Sequence, residues 1–154
     1  MLKNILRIQM TLFIMVFFPK AQQLPFVSWE AFDTLRLSQS RNTLVFVHTD
    51  WCSVCKKQIK DLEQAPSLLR LLSERVYLLD LNAEKEKRSL SFFGKIYRYY
   101  TSGSTSGLHE LAHYFSPRSQ VYPLWVLLDK DGSILTTYEG YWSKEQLSEL
   151  VASY

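Results

Sequence analysis

Cys52 and Cys55 are the only cysteines in the 154 residues, and they stand three apart in Trp51-Cys52-Ser53-Val54-Cys55-Lys56. A pair at that spacing can cycle between dithiol and disulfide: one thiolate attacks a disulfide sulfur, and a second thiol one helical turn away resolves the mixed disulfide. Two other chemistries use cysteines so placed. A structural bridge here would close a loop of only four residues, which by the chain-entropy relation stabilises by about 2 kcal/mol, against about 4.7 kcal/mol for a 100-residue loop. A zinc site takes four ligands; there is no second cysteine pair, and His48 would raise the number only to three. Exchange is the chemistry this spacing serves best, and it calls for no metal and no cofactor.

The flanking elements would activate such a pair. Thr43–His48 (TLVFVH) is a continuous β-branched and aromatic run, as in a strand buried on both faces. Thr49-Asp50-Trp51 leads into Cys52, and the pattern turns helical through Glu63. Cys52 then sits at a helix start, where unpaired N–H groups and the positive end of the helix dipole meet its sulfur. A free cysteine titrates near about 8.5, and pairs of this kind reach about 7. Each unit is about 1.36 kcal/mol in favour of the anion. The dipole contributes about 0.3–1 kcal/mol, so hydrogen bonds from the turn must supply the rest. Cys52 is the expected nucleophile and Cys55 the resolving thiol, with Trp51 shielding one side of the sulfur. Lys56 is a supporting residue beside Cys55, although with Lys57 it also reads as a solvated helix face.

Around this centre the chain alternates strands and helices. Leu24–Val27 reads as an edge strand or extended lead-in, and Ser28 as the N-cap of a helix over Trp29–Leu37. Pro66–Glu74 is a second helical piece after the cysteines, with Pro66 at its first position. Val76–Leu81 is the next strand, so strand, helix and strand imply a parallel pair with a right-handed crossover. Residues 84–107 interrupt the pattern. Within them, 91–100 suggests a β-hairpin turning at Gly94-Lys95, and Thr101–Gly107 (TSGSTSG) is loop by composition. Phe92, Phe93, Tyr97, Tyr99 and Tyr100 would pack the hairpin on the core or, where exposed, face a partner. A helix over Leu108–Phe115, a strand over Pro123–Leu128, an Asp131-Gly132 turn, a strand over Ile134–Tyr138 and a helix capped by Ser143 complete the chain.

The first 21 residues differ in kind. Lys3 and Arg7 precede the apolar run Met10–Phe18, and Pro19-Lys20-Ala21 offers a small residue for cleavage, which is the pattern of an export signal. The run is shorter than the roughly 20 residues a spanning helix needs; the alternative is an N-terminal membrane anchor. Residues 1–21 are thus expected to be a signal peptide and 22–154 a single domain, periplasmic or secreted. Of the 18 basic residues three lie in the signal, which leaves fifteen against fifteen acidic ones, so the net positive charge argues for no nucleic-acid partner.

Trp-Cys-x-x-Cys-Lys after a β-branched strand, then Tyr122-Pro123 opening a strand, then Asp129-Lys130-Asp131-Gly132, resembles the thioredoxin superfamily. Gly140-Tyr141-Trp142-Ser143-Lys144-Glu145-Gln146-Leu147 resembles that family's closing strand-to-helix passage. The likeness spans residues 29–151 apart from the insertion at 84–107. It is nearest to exported single-domain members with an extra hairpin. It implies an α/β thioredoxin fold, a central mixed β-sheet flanked by helices on both faces, with an inserted β-hairpin at about 91–100. It also implies a cis peptide before Pro123, facing the cysteines, and a Tyr122 backbone that pairs with an extended substrate segment. One position departs from the family. Thioredoxins proper carry a buried acid six residues before the first cysteine, where this chain has Phe46; water, His48 or Asp50 would have to move the proton instead.

The resemblance implies a thiol–disulfide oxidoreductase acting on disulfide-containing exported proteins as reductase or isomerase, recharged by a membrane thiol electron donor, and monomeric. A thiol oxidase of the same fold differs only in reduction potential, where 30 mV is about 1.4 kcal/mol for two electrons. A non-catalytic binding or chaperone module of the same fold is the third reading, distinguished by indifference to loss of Cys52.

Overall fold

The structure, a computed structural model, describes residues 23–101, 103 and 107–154. The expected signal segment and most of the Thr101–Gly107 loop lie outside these residues. The elements run α1 (Trp29–Ser38), β1 (Asn42–His48), α2 (Ser53–Glu63), α3 (Pro66–Arg75), β2 (Val76–Asn82), β3 (Leu90–Phe92), β4 (Lys95–Tyr97), β5 (Tyr99–Thr101), β6 (Gly107–His109), α4 (Glu110–Phe115), β7 (Leu124–Leu128), β8 (Ile134–Glu139) and α5 (Lys144–Ser153).

Four strands form a mixed sheet in the order β2-β1-β7-β8. β1 pairs with β2 in parallel, while β7 is antiparallel to both β1 and β8. The parallel pair is joined through α2 and α3, as a strand–helix–strand passage requires. Strand alternation divides the core in two. Leu44, Phe46, Val76, Leu78, Trp125 and Leu127 face the helices α2, α3 and α5, meeting Leu62, Leu72, Leu147 and Val151. Val45, Val47, Leu79, Leu81, Val126 and Leu128 face the other way, against Trp29 and Phe32 of α1 and Leu111 and Phe115 of α4. The expected α/β architecture with helices on both faces is the one observed.

Local chemistry fixes the helix boundaries. The Ser28 hydroxyl accepts from Ala31 N at α1, and Ser143 with Gln146 forms a reciprocal capping box at α5. Pro66 opens α3, where its missing N–H leaves nothing unpaired. Phe26 bridges to Leu78 in parallel, which makes the lead-in a single-residue edge contact.

The insertion is organised differently from the expected single hairpin. β3 pairs with β4 through Phe93 and Gly94, both at positive φ (48° and 75°), so the turn falls one residue earlier than Gly94-Lys95. Packing of the half-buried Phe93 explains the shift. Its ring meets Phe32 and Phe92 edge-on, the Arg36 guanidinium lies 4.9 Å above it, and a Cβ on Gly132 would approach it to 2.7 Å. Tyr99–Thr101 belongs to a second ribbon, β5 with β6, and the helix expected from Leu108 starts at Glu110 because Gly107–His109 is strand. Phe92 is core, whereas Tyr100 is exposed.

Candidate active site

β1 delivers the chain to the cysteines. Beyond His48, a turn closed by Cys52 N–H to Thr49 O (3.3 Å) sets Cys52 as the N-cap of α2. Its sulfur accepts the Cys55 N–H at 3.0 Å, so the helix start presents a backbone donor to Sγ. Cys52 and Cys55 are joined as a disulfide with Cα atoms 5.2 Å apart. They lie within the core cluster that contains Phe46, Leu62 and Trp125, with only 5% and 2% of their surface exposed. Cys55, Gln58 and Leu62 make up the buried face of α2, while Ser53, Val54, Lys56 and Lys57 face out.

Trp51 stands 64% exposed beside the bridge. Its indole N–H donates to the Glu84 carboxylate (3.0 and 3.1 Å), and its ring meets Tyr122 edge-on at 6.1 Å. The Tyr122–Pro123 peptide is cis, and Pro123 O accepts from Gly140 N at 2.7 Å. Tyr122 packs partly against the cluster holding both cysteines. Burial, with the Glu84 charge second, pushes its phenol up to about 12, so it stays a neutral hydrogen-bonding group.

Asp50 is exposed, and its carboxylate accepts from Asn82 Nδ2 at 2.6 Å. Asn82 Oδ1 in turn accepts from Glu84 N and Lys85 N, so the end of β2 braces the turn that carries Trp51. His48 turns to the α2 side of the sheet. Its ring stacks on Phe46 (5.4 Å, 16° between planes), and its Nε2 lies 3.1 Å from Asp80 Oδ1. His48, Thr49, Asp50, Cys55, Lys56, Ile59, Lys60 and Glu63 line one pocket of about 570 Å³. Lys57 instead pairs with Asp61 and lies over the Tyr141 ring. Phe46 is wholly buried against Trp125, at 4.6 Å, on the same face as the cysteines.

Sequence reasoning missed Asp80, Asn82, Glu84 and Gln58. The polar alternation of Asp80 and Asn82 at the end of an otherwise apolar strand was the available signal. Gln58 showed none beyond its spacing of three from Cys55.

A mixed sheet layered between helices, with a bridged Cys-x-x-Cys pair where β1 passes into α2, defines a thioredoxin-fold dithiol protein. Residues 30–154 match the family model of the thioredoxin-like domain, and the chain belongs to that family. No curated protein sequence matches it significantly. Among solved structures, a disulphide isomerase from Xylella fastidiosa superposes with a TM-score of 0.53 at 17% identity, over 86% of this chain and 98% of that one. Thioredoxin-2 of the malaria parasite, a component of its protein secretion machinery, gives 0.52 at 18%, over 75% and 85%. The germline-specific thioredoxin Deadhead from Drosophila melanogaster gives 0.52 at 15%, over 80% and 90%. At these identities the likeness is one of fold. Fold and cysteine pair together support thiol–disulfide redox activity. Among the described residues no helix is long and apolar enough to cross a membrane.

Proposed function

We propose that the protein is a thiol–disulfide oxidoreductase that reduces or isomerises disulfides of exported proteins and is recharged by a membrane thiol donor. The observation that carries this reading is the N-cap position of Cys52, whose sulfur receives the Cys55 N–H at 3.0 Å. A donor at that distance favours a thiolate at Cys52 in the reduced protein. The Cys52 thiolate attacks a substrate disulfide, forming a mixed disulfide and releasing one substrate thiolate. Cys55, having lost its proton, then attacks Cys52 Sγ. The Cys52–Cys55 disulfide forms, the second substrate thiolate leaves, and two electrons have passed to the substrate. The backbone of Tyr122 pairs with an extended substrate segment beside the sulfur. The exposed Trp51 and the Tyr122 ring supply apolar contact there.

The full chain with Cys55→Ser accumulates mixed disulfides with exported proteins, whereas Cys52→Ser does not. Equal trapping by both variants overturns the assignment of roles, and trapping by neither favours a binding module over an enzyme. The apolar run at Met10–Phe18 supports export. Mass spectrometry of the native protein reads this directly: a mature start near Gln22 supports it, and a retained Met1 in the cytosol overturns it.

A further inference from the structure

The reaction needs a proton acceptor for Cys55. Its thiol is buried, and it becomes a nucleophile only as a thiolate. Phe46, at the position six residues before Cys52, has no group that can accept a proton. The carboxylate nearest in register belongs to the neighbouring strand, since Phe46 pairs with Asp80 across β1 and β2. Asp80 Oδ1 lies 3.1 Å from His48 Nε2. The Phe46 ring, stacked at 16° under the imidazole, fixes the ring plane. His48 and Cys55 line the same pocket of about 570 Å³, many times the roughly 30 Å³ of one water molecule.

Resting on the exchange reading above, we propose that His48, beside the Asp80 carboxylate, takes the Cys55 proton through water in this pocket when Cys55 attacks the mixed disulfide. The imidazole becomes imidazolium beside the Asp80 carboxylate, the Cys55 thiolate forms the new S–S bond, and the departing substrate thiolate or solvent collects the proton. Asp80 is a positioning residue: its carboxylate stands beside the ring and offsets the charge of the cation. The other charged groups facing the pocket are Asp50, Lys56, Lys60 and Glu63. Asp50 is engaged by Asn82, Glu63 lies at the far end of α2, about 12 Å of helix rise beyond Cys55, and the lysine ammonium groups have no lone pair to accept a proton. Of all side chains, imidazole titrates nearest neutrality, where a general base works best.

The two sulfur steps separate when the reduced full-length protein meets the chromogenic dithionitrobenzoate disulfide. A first release of coloured thiolate reports Cys52 attack and a second reports Cys55 attack. His48→Gln is expected to leave the first phase within about twofold and to slow the second about a hundredfold near pH 7. The gap should close at alkaline pH, where the thiol ionises unaided. Asp80→Asn, which keeps the side chain's shape but removes the charge, should slow the same phase about tenfold with the same pH dependence. It carries the test if His48→Gln does not fold. A second phase unchanged in the variants, or slowed equally at every pH, overturns the relay and leaves the exchange chemistry standing. Absence of any second release from the unsubstituted protein overturns the exchange reading itself, and the relay with it.

Discussion

Gln58 and Trp142, 84 residues apart, exchange two hydrogen bonds: Gln58 Nε2 donates to Trp142 O at 3.0 Å, and Trp142 N donates to Gln58 Oε1 at 2.8 Å. Gln58 sits one turn beyond Cys55 on the buried face of α2, so this pair ties the helix that carries the cysteines to the segment before α5. Gln58→Leu keeps the bulk but leaves a buried N–H and C=O unpaired, each costing about 1–3 kcal/mol. The variant should lose about 2–6 kcal/mol in urea denaturation with an unchanged slope. A loss below about 0.5 kcal/mol would show that the backbone of Trp142 finds other partners.

Phe46→Asp should be costlier. The substitution removes a wholly buried ring from Trp125 and from the His48 stack, and losses of this type run to about 3–5 kcal/mol before any penalty for a buried acid. Burial raises the folded-state pKa of the new carboxyl above its unfolded value near 3.9. The folded state then binds more protons, so stability falls as pH climbs from about 4 through the folded pKa. Denaturation midpoints at several pH values should show the gap to the unsubstituted protein widening from acid to neutral pH. A constant gap would place position 46 in contact with water.

His109 makes the opposite prediction. It is fully buried at the N-cap of α4, with Nδ1 accepting from Leu111 N (3.2 Å) and Nε2 3.0 Å from Arg88 O. The neutral ring meets both partners, as acceptor and donor, whereas a protonated ring would set a second N–H against the Leu111 N–H. Burial holds its pKa below the ordinary histidine value, with the Arg88 carbonyl and the Glu86 and Glu110 charges opposing. Below about 6.5 the unfolded chain therefore binds the extra proton first. The stability this residue contributes is complete above that pH and is lost as pH falls toward the lower folded value. His109→Gln should start less stable at neutral pH and lose less on acidification to pH 5. Parallel pH profiles for the two proteins would exclude the assignment.

The sequence alone determined what depends on neighbours along the chain. The Cys52–Cys55 spacing, the TLVFVH strand before it, the Ser28 and Ser143 caps and the Asp131-Gly132 turn were legible because each acts within one turn or one hairpin. The tertiary structure decided what depends on register. In the insertion, the packing of Phe93 against Phe32 and Gly132 moved the hairpin turn by one residue and left Tyr99–Thr101 to pair with Gly107–His109. At the site, His48 meets Asp80 because β1 and β2 run parallel with Phe46 opposite Asp80, and Gln58 meets Trp142 because α2 and the α5 approach cover the same sheet face. Such pairs join side chains from separate elements, and a shift of one residue in strand register would turn each to the opposite face. No spacing along the chain encodes them.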